Sequence, residues 1–136
     1  MEIKEINKAG KRYGIVVKCR QFPEGLNFYT KDSDFVQVAT WHYNKGKYLK
    51  AHSHKKLERK TDAAQEVVFV KKGLLKFWIY DDKEERFFED TLKQGEILIT
   101  FYGGHAYEIL EDNTEILEVK NGPYPGLEKD KKVIEK

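Results

Sequence analysis

At 136 residues and 16.0 kDa the chain is the size of one ordinary domain, too short to carry a cofactor domain beside a substrate domain. Apolar residues make up 40% and aromatic residues 13%, enough bulk for a packed core, which excludes disorder as the main state. Twenty-five Lys and Arg against 23 Asp and Glu leave +2, a balance that excludes a general nucleic-acid coat and a polybasic membrane anchor.

In chain order, the opening Met-Glu-Ile-Lys-Glu-Ile is charged where a secretory signal needs an apolar run. No stretch reaches the roughly 18 consecutive apolar residues of a membrane span. The single Cys19 can neither staple the chain nor supply a zinc-finger pair, so a soluble protein of the reducing cytoplasm is expected. Short runs rich in Val, Ile, Phe, Tyr and Trp then recur between Gly, Asp, Asn and Lys punctuation. The first strands are expected over residues 14–20, where Ile15 and Val17 alternate, and over 26–30. Strands over 35–43 and 48–54 follow, divided by Asn44-Lys45-Gly46, a turn signal whose Asn and Gly tolerate positive φ. A polar stretch leads to strands 66–71 and 74–80, joined at Lys72-Gly73, then 86–92, 96–101, 106–110 and 114–120.

About ten short strands without helices between them predict an all-β sandwich or barrel. Several strands are apolar on both faces: Val68 and Val70 alternate with Val67 and Phe69, and Leu75, Phe77 and Ile79 with Leu74, Trp78 and Tyr80. One face can fill the interior; the other needs cover from the N-terminal strands or from a second copy, so a homodimer is expected. The domain reads as a core over about 34–120, N-terminal strands over 14–30, and a charged tail over 127–136 that forms a loose end or a short surface helix.

Four histidines are present: His42, His52, His54 and His105. Residues two apart in a strand share a face, so a strand over 48–54 would present His52 and His54 together, about 7 Å apart, as half of a metal site. The other reading of this pair is two surface histidines in a lysine-rich loop.

The spacing around the pair resembles a known pattern. Gly46, five residues, His52, one residue and His54, followed by Glu66, six residues and Gly73, are similar to the first motif of the cupin family, Gly-x5-His-x-His-x3-4-Glu-x6-Gly. Gly95, the strand after it and Gly103-Gly104-His105 resemble the second, Gly-x5-Pro-x-Gly-x2-His-x3-Asn. Eleven residues separate His54 from Glu66 where the motif has three or four; Glu58 has the shorter spacing but does not open a strand, and Gln65 becomes a candidate if the register shifts by one. Phe101 and Ile109 stand in the proline and asparagine slots, and His105 comes one residue early.

The resemblance implies a single-domain cupin-type jelly-roll barrel with a metal centre of His52, His54, Glu66 and His105. Such a donor set suits Fe(II), Mn(II), Ni(II) or Zn(II), with room for water or substrate. His42 lies outside both motifs and reads as structural. The end Glu118-Val119-Lys120-Asn121-Gly122-Pro123-Tyr124, with Gly-Gly-His upstream, resembles small cupins associated with bacterial polysaccharide or sugar-nucleotide pathways.

Charge is uneven around these motifs. Residues 45–60 hold seven basic groups (Lys45, Lys47, Lys50, Lys55, Lys56, Arg59 and Lys60) against Glu58, a segment of +6 in a chain whose remainder is −4. Lys55, Lys56 and Arg59 are therefore candidates for holding an anionic small molecule, Arg59 through its two-pronged guanidinium. Trp78, Tyr102 and Tyr107 are candidates to line the pocket, with aromatic core as the competing role for each. Two functions are open at this level: an oxygenase- or isomerase-type metal enzyme acting on a small anionic or sugar-derived substrate, and a non-catalytic sugar or nucleotide-sugar binding module with a structural metal or none.

Overall fold

The computed structural model describes residues 1–134; the last two residues of the expected tail lie outside the described residues. Ten strands form: β1 (Glu2–Lys8), β2 (Lys11–Lys18), β3 (Gly25–Phe28), β4 (Ala39–His42), β5 (Glu66–Lys72), β6 (Leu74–Tyr80), β7 (Arg86–Lys93), β8 (Ile97–Thr100), β9 (Gly104–Ile109) and β10 (Glu115–Lys120). One short helix, α1 (Leu127–Asp130), follows and buries no residue. No helix among the described residues is long and apolar enough to cross a membrane.

All strand pairs are antiparallel, in three sheets: β1-β2-β8-β5-β10, β7-β6-β9 and the pair β3-β4. The expected all-β class holds, but among the described residues the sheets do not join into a closed barrel. The count of ten also conceals two differences. A strand forms at 2–8, before the first strand expected; β1 is the outer strand of its sheet, and charged side chains suit an exposed edge. No strand forms over 48–54, where Tyr48 and Leu49 are exposed and find no partner strand among the described residues.

The two larger sheets face each other across the main core. Alternation decides which side chains enter it: Val68 and Val70 of β5, Leu75, Phe77 and Ile79 of β6, Leu92 of β7 and Leu98 of β8 are buried with Ile6, Tyr13 and Val16. The second apolar face of the five-stranded sheet has its own cover. Ile15, Val17, Ile97 and Ile99 pack beneath Phe22, Tyr29, Val36 and Val38, so residues 22–38 close that face within one copy of the chain. Leu26, Phe28, Trp41, Leu117 and Val119 stay exposed there, Trp41 at 61%.

Gly73 is the corner between the layers. β5 ends at Lys72 in the five-stranded sheet and β6 begins at Leu74 in the three-stranded one, and the single residue between them turns with φ 96°. Seven residues on either side of this corner, Glu66 and Tyr80 meet again at the opposite, open end of the sandwich, where both line one cavity.

Candidate functional site

The open end is where charge enters the interior. Glu66 starts β5, between Thr100 of β8 and Lys120 of β10, and its side chain continues the inward row of Val68 and Val70. His105 comes from the other layer, on β9 opposite Ile79 of β6. Glu66 is 6% exposed, and its Oε2 lies 2.9 Å from His105 Nε2. Apart from His105, that oxygen has no side-chain partner within hydrogen-bond geometry among the described residues. The other oxygen, Oε1, is 3.9 Å from Lys120 Nζ. Contact with His105 outweighs burial and, with Lys120, holds the Glu66 carboxyl below the usual carboxylate range.

Two cavities meet here, both lined by Glu66, His105 and Lys131. One, about 370 Å³, adds Tyr80, Gly103 and Gly104 with the end of the chain, residues 130–134. The other, about 410 Å³, opens between β9 and β10, each the edge of its sheet; its floor is Val68, Leu75, Ile109 and Ile116, and Tyr107 and Glu118 supply polar groups. Tyr107 stacks on His105 at 5.1 Å between ring centres. Burial, with Glu66 and Glu118 nearby, pushes its phenol above the ordinary range, so it is a neutral hydroxyl at neutral pH. The arrangement is an apolar chamber with a carboxylate, an imidazole and a phenol at one end, the form expected of a small-molecule site.

No family model, curated protein or solved structure matches the chain. The site must therefore be read from its own residues.

The structure brings Glu66, His105 and Tyr107 together and leaves the other sequence candidates elsewhere. His52 and His54 are exposed in the coil of residues 43–65, their rings 5.2 Å apart and edge to face, with His52 Nδ1 3.1 Å from the Lys50 carbonyl. Neither lines the two cavities, and among the described residues no group of three or more His, Cys, Asp or Glu is placed to hold a metal ion. Lys55, Lys56 and Arg59 are exposed; Arg59 borders a shallow depression with Lys60, Asp62 and Pro123. Trp78 faces outward from the three-stranded sheet, under the Arg86 guanidinium at 4.5 Å and Lys76 at 5.0 Å. It is Tyr80, two residues on, that reaches a cavity.

The competing ligand candidates have other partners. Gln65 accepts a hydrogen bond from the Val36 amide at 2.8 Å, and its own amide donates to Asn121 Oδ1 at 2.8 Å. Glu58 pairs with Lys60 at the surface. His42 Nδ1 is 2.8 Å from the Phe22 carbonyl, the structural role expected of it. Tyr102 lies over the Lys11 ammonium, outside both cavities. Sequence reasoning missed Glu118, Lys120 and Lys131. The first two share the inward face of β10 with Ile116, and the available signal was their period-two spacing after a strand already expected there.

As metal ligands, Glu66 and His105 fit each other. Two donor atoms 2.9 Å apart, one a buried oxygen with no other side-chain partner among the described residues, have the separation of neighbouring ligands on one ion. Of the expected donor set, these two are together, while His52 and His54 lie in the exposed coil.

Proposed function

We propose that this protein is a metal-binding cupin that acts on a small anionic or sugar-derived molecule at the open end of its two main sheets. The observation that carries the reading is the buried oxygen of Glu66 beside His105 Nε2, two residues from separate motifs facing each other across the layers. Glu66 and His105 would hold a divalent first-row ion, and His52 and His54 would complete the set only with the 43–65 coil folded in over the open end, a position it does not take in the structure. When bound, such an ion polarises an oxygen of the ligand as a Lewis acid.

The chain's own residues have defined parts in this reading. Val68, Leu75, Ile109 and Ile116 exclude water from one side of the ligand and orient its apolar face. Tyr107, un-ionised at neutral pH, offers a hydroxyl donor beside His105, and Glu118 is an acceptor on the facing strand. Lys131 provides a cation at the junction of the two cavities, where Lys55, Lys56 and Arg59 do not reach. The exposed Leu26, Phe28, Trp41, Leu117 and Val119 support the companion proposal of a homodimer formed through β3–β4 and the outward side of β10.

Metal titration tests the reading. Protein purified without chelator is expected to bind about one equivalent of a transition metal, and Glu66→Gln, His105→Ala and the pair His52→Ala with His54→Ala are each expected to weaken it at least tenfold. Less than about a tenth of an equivalent as purified, with no binding on titration, refutes it. Full stoichiometry in the variants would refute the ligand set.

A further inference from the structure

Residues 130–134 line the site. After β10, Asn121 anchors the turn through the Gln65 amide and the Ala63 carbonyl, and α1 then runs along the surface without burying a side chain. Residues 130–134 lie across the open end between the two sheets, and Lys131 stands between the two cavities, lining both.

Among the described residues, three contacts of this segment stand out. Asp130 pairs with Lys120 at 3.8 Å, the same lysine that faces Glu66. Lys132 pairs with Glu84, in the β6–β7 turn, at 2.5 Å. Ile134 sits against Gly104, the residue before His105: a Cβ built on Gly104 would lie 2.4 Å from Ile134 Cδ1 and 3.3 Å from Tyr80 Cβ. The glycine is thus a notch into which the isoleucine fits.

We propose that residues 130–134 form a displaceable strap which divides one cleft into two chambers and screens His105, so that ligand access to the site requires the strap to lift. Its position covers the chemistry, while its attachment is light. The Lys132–Glu84 pair is a surface pair, with Lys132 81% exposed, and contributes little; the Lys120–Asp130 pair is half-buried but long at 3.8 Å, and the one-turn helix buries no residue. With the strap lifted, the cavities beside Glu66 and His105 become one cleft, and a ligand too large for either chamber can enter. This inference concerns the same cavity as the proposed function but does not depend on a metal being bound there.

Site-resolved modification of histidine by diethylpyrocarbonate, read by peptide mass spectrometry on full-length protein with chelator present, tests it. Gly104→Ala fills the notch and Lys132→Glu turns an anchoring pair into a repulsive one; each is expected to speed modification of His105 by about fivefold or more. His52 and His54, exposed already, serve as internal controls and should react at an unchanged rate. Glu84→Lys alone should act like Lys132→Glu, and the two combined should return His105 to the slow rate. Unchanged His105 reactivity in folded Lys132→Glu and Gly104→Ala overturns the proposal, as does acceleration in Lys132→Glu that the charge-reversed double variant fails to reverse. If Gly104→Ala does not fold, the charge-reversal series decides alone, since it alters only exposed or half-exposed side chains. Chelation keeps the result separate from metal binding: a failed metal titration would leave the strap standing, and a failed strap would leave the metal reading standing.

Discussion

Replacing Gly73 by alanine strikes the corner that sets the two main layers against each other. At φ 96° an alanine is strained by about 1–2 kcal/mol. Its Cβ would also lie 2.2 Å from Thr114 Oγ1 and 2.8 Å from Thr114 Cα and Cβ, contacts that cannot be relieved by a side-chain rotation alone. Overpacking of this kind costs a further 1–3 kcal/mol or so. The expected loss is therefore about 2–5 kcal/mol, and for a domain of this size about 4 °C of Tm accompanies each kcal/mol, giving a fall of roughly 8–20 °C. Thermal melts followed by circular dichroism measure it. Thr114→Gly in the same chain separates the two causes, because it removes the Oγ1 and Cβ clashes and leaves the backbone strain. The double variant should be more stable than the sum of the single losses allows, by about 1 kcal/mol or more. A Tm fall below about 3 °C for Gly73→Ala, or strict additivity in the cycle, would refute the claim that this corner is held by close contact with Thr114.

Asp82 gives a pH signature: hydrogen bonds from Lys11 and Tyr13 pull its carboxyl down to about 2, so its contribution is complete above the ordinary aspartate range and is lost as pH falls from about 4 toward 2. Melts across that interval should show Asp82→Asn below wild type at pH 7 and converging on it at pH 2. Phe77→Ala, which empties the fully buried centre of the main core, should cost about 3–5 kcal/mol in urea denaturation. Arg12 Nη1 donates to both oxygens of Asp34, at 2.9 and 2.8 Å, while the guanidinium plane stacks over Phe101 at 4.1 Å; Arg12→Lys keeps the charge but loses the stacked plane, and should lower the urea midpoint by an amount equal to about 1–2 kcal/mol with the slope unchanged. If the outer apolar face joins two copies, Leu117→Asp should shift sedimentation from dimer to monomer without lowering the Tm of the isolated chain.

Much of the interior could be read from the chain. Alternation in residues 66–72 and 74–80 assigned Val68, Val70, Phe77 and Ile79 to one face correctly, because a two-residue period leaves a strand little choice once one face is buried. Glu66 and His105, singled out through the motif resemblance, do lie side by side, because β5 and β9 bring them from facing layers. The segment 48–54 misled because Tyr48, Leu49 and the two histidines carry a strand-like pattern, while pairing depends on whether a free edge lies within reach. β1 misled in the opposite direction: Glu2, Lys4, Glu5 and Lys8 look like loop composition and belong to an edge strand. Lys131 and Ile134 had no local signal, since their place beside His105 is decided by how the chain turns after Asn121.

The 410 Å³ chamber lies between two sheet edges that share no hydrogen-bond ladder, so its width is set by side chains alone. Val68, Leu75, Ile109 and Ile116 can each gain or lose a methyl group without disturbing a backbone pair. A domain arranged in this way can alter the size and shape of what it accepts through single substitutions while Glu66 and His105 stay where the strands hold them. Under the proposed function, the shape of the chamber would then be able to change while the polar pair stays in place.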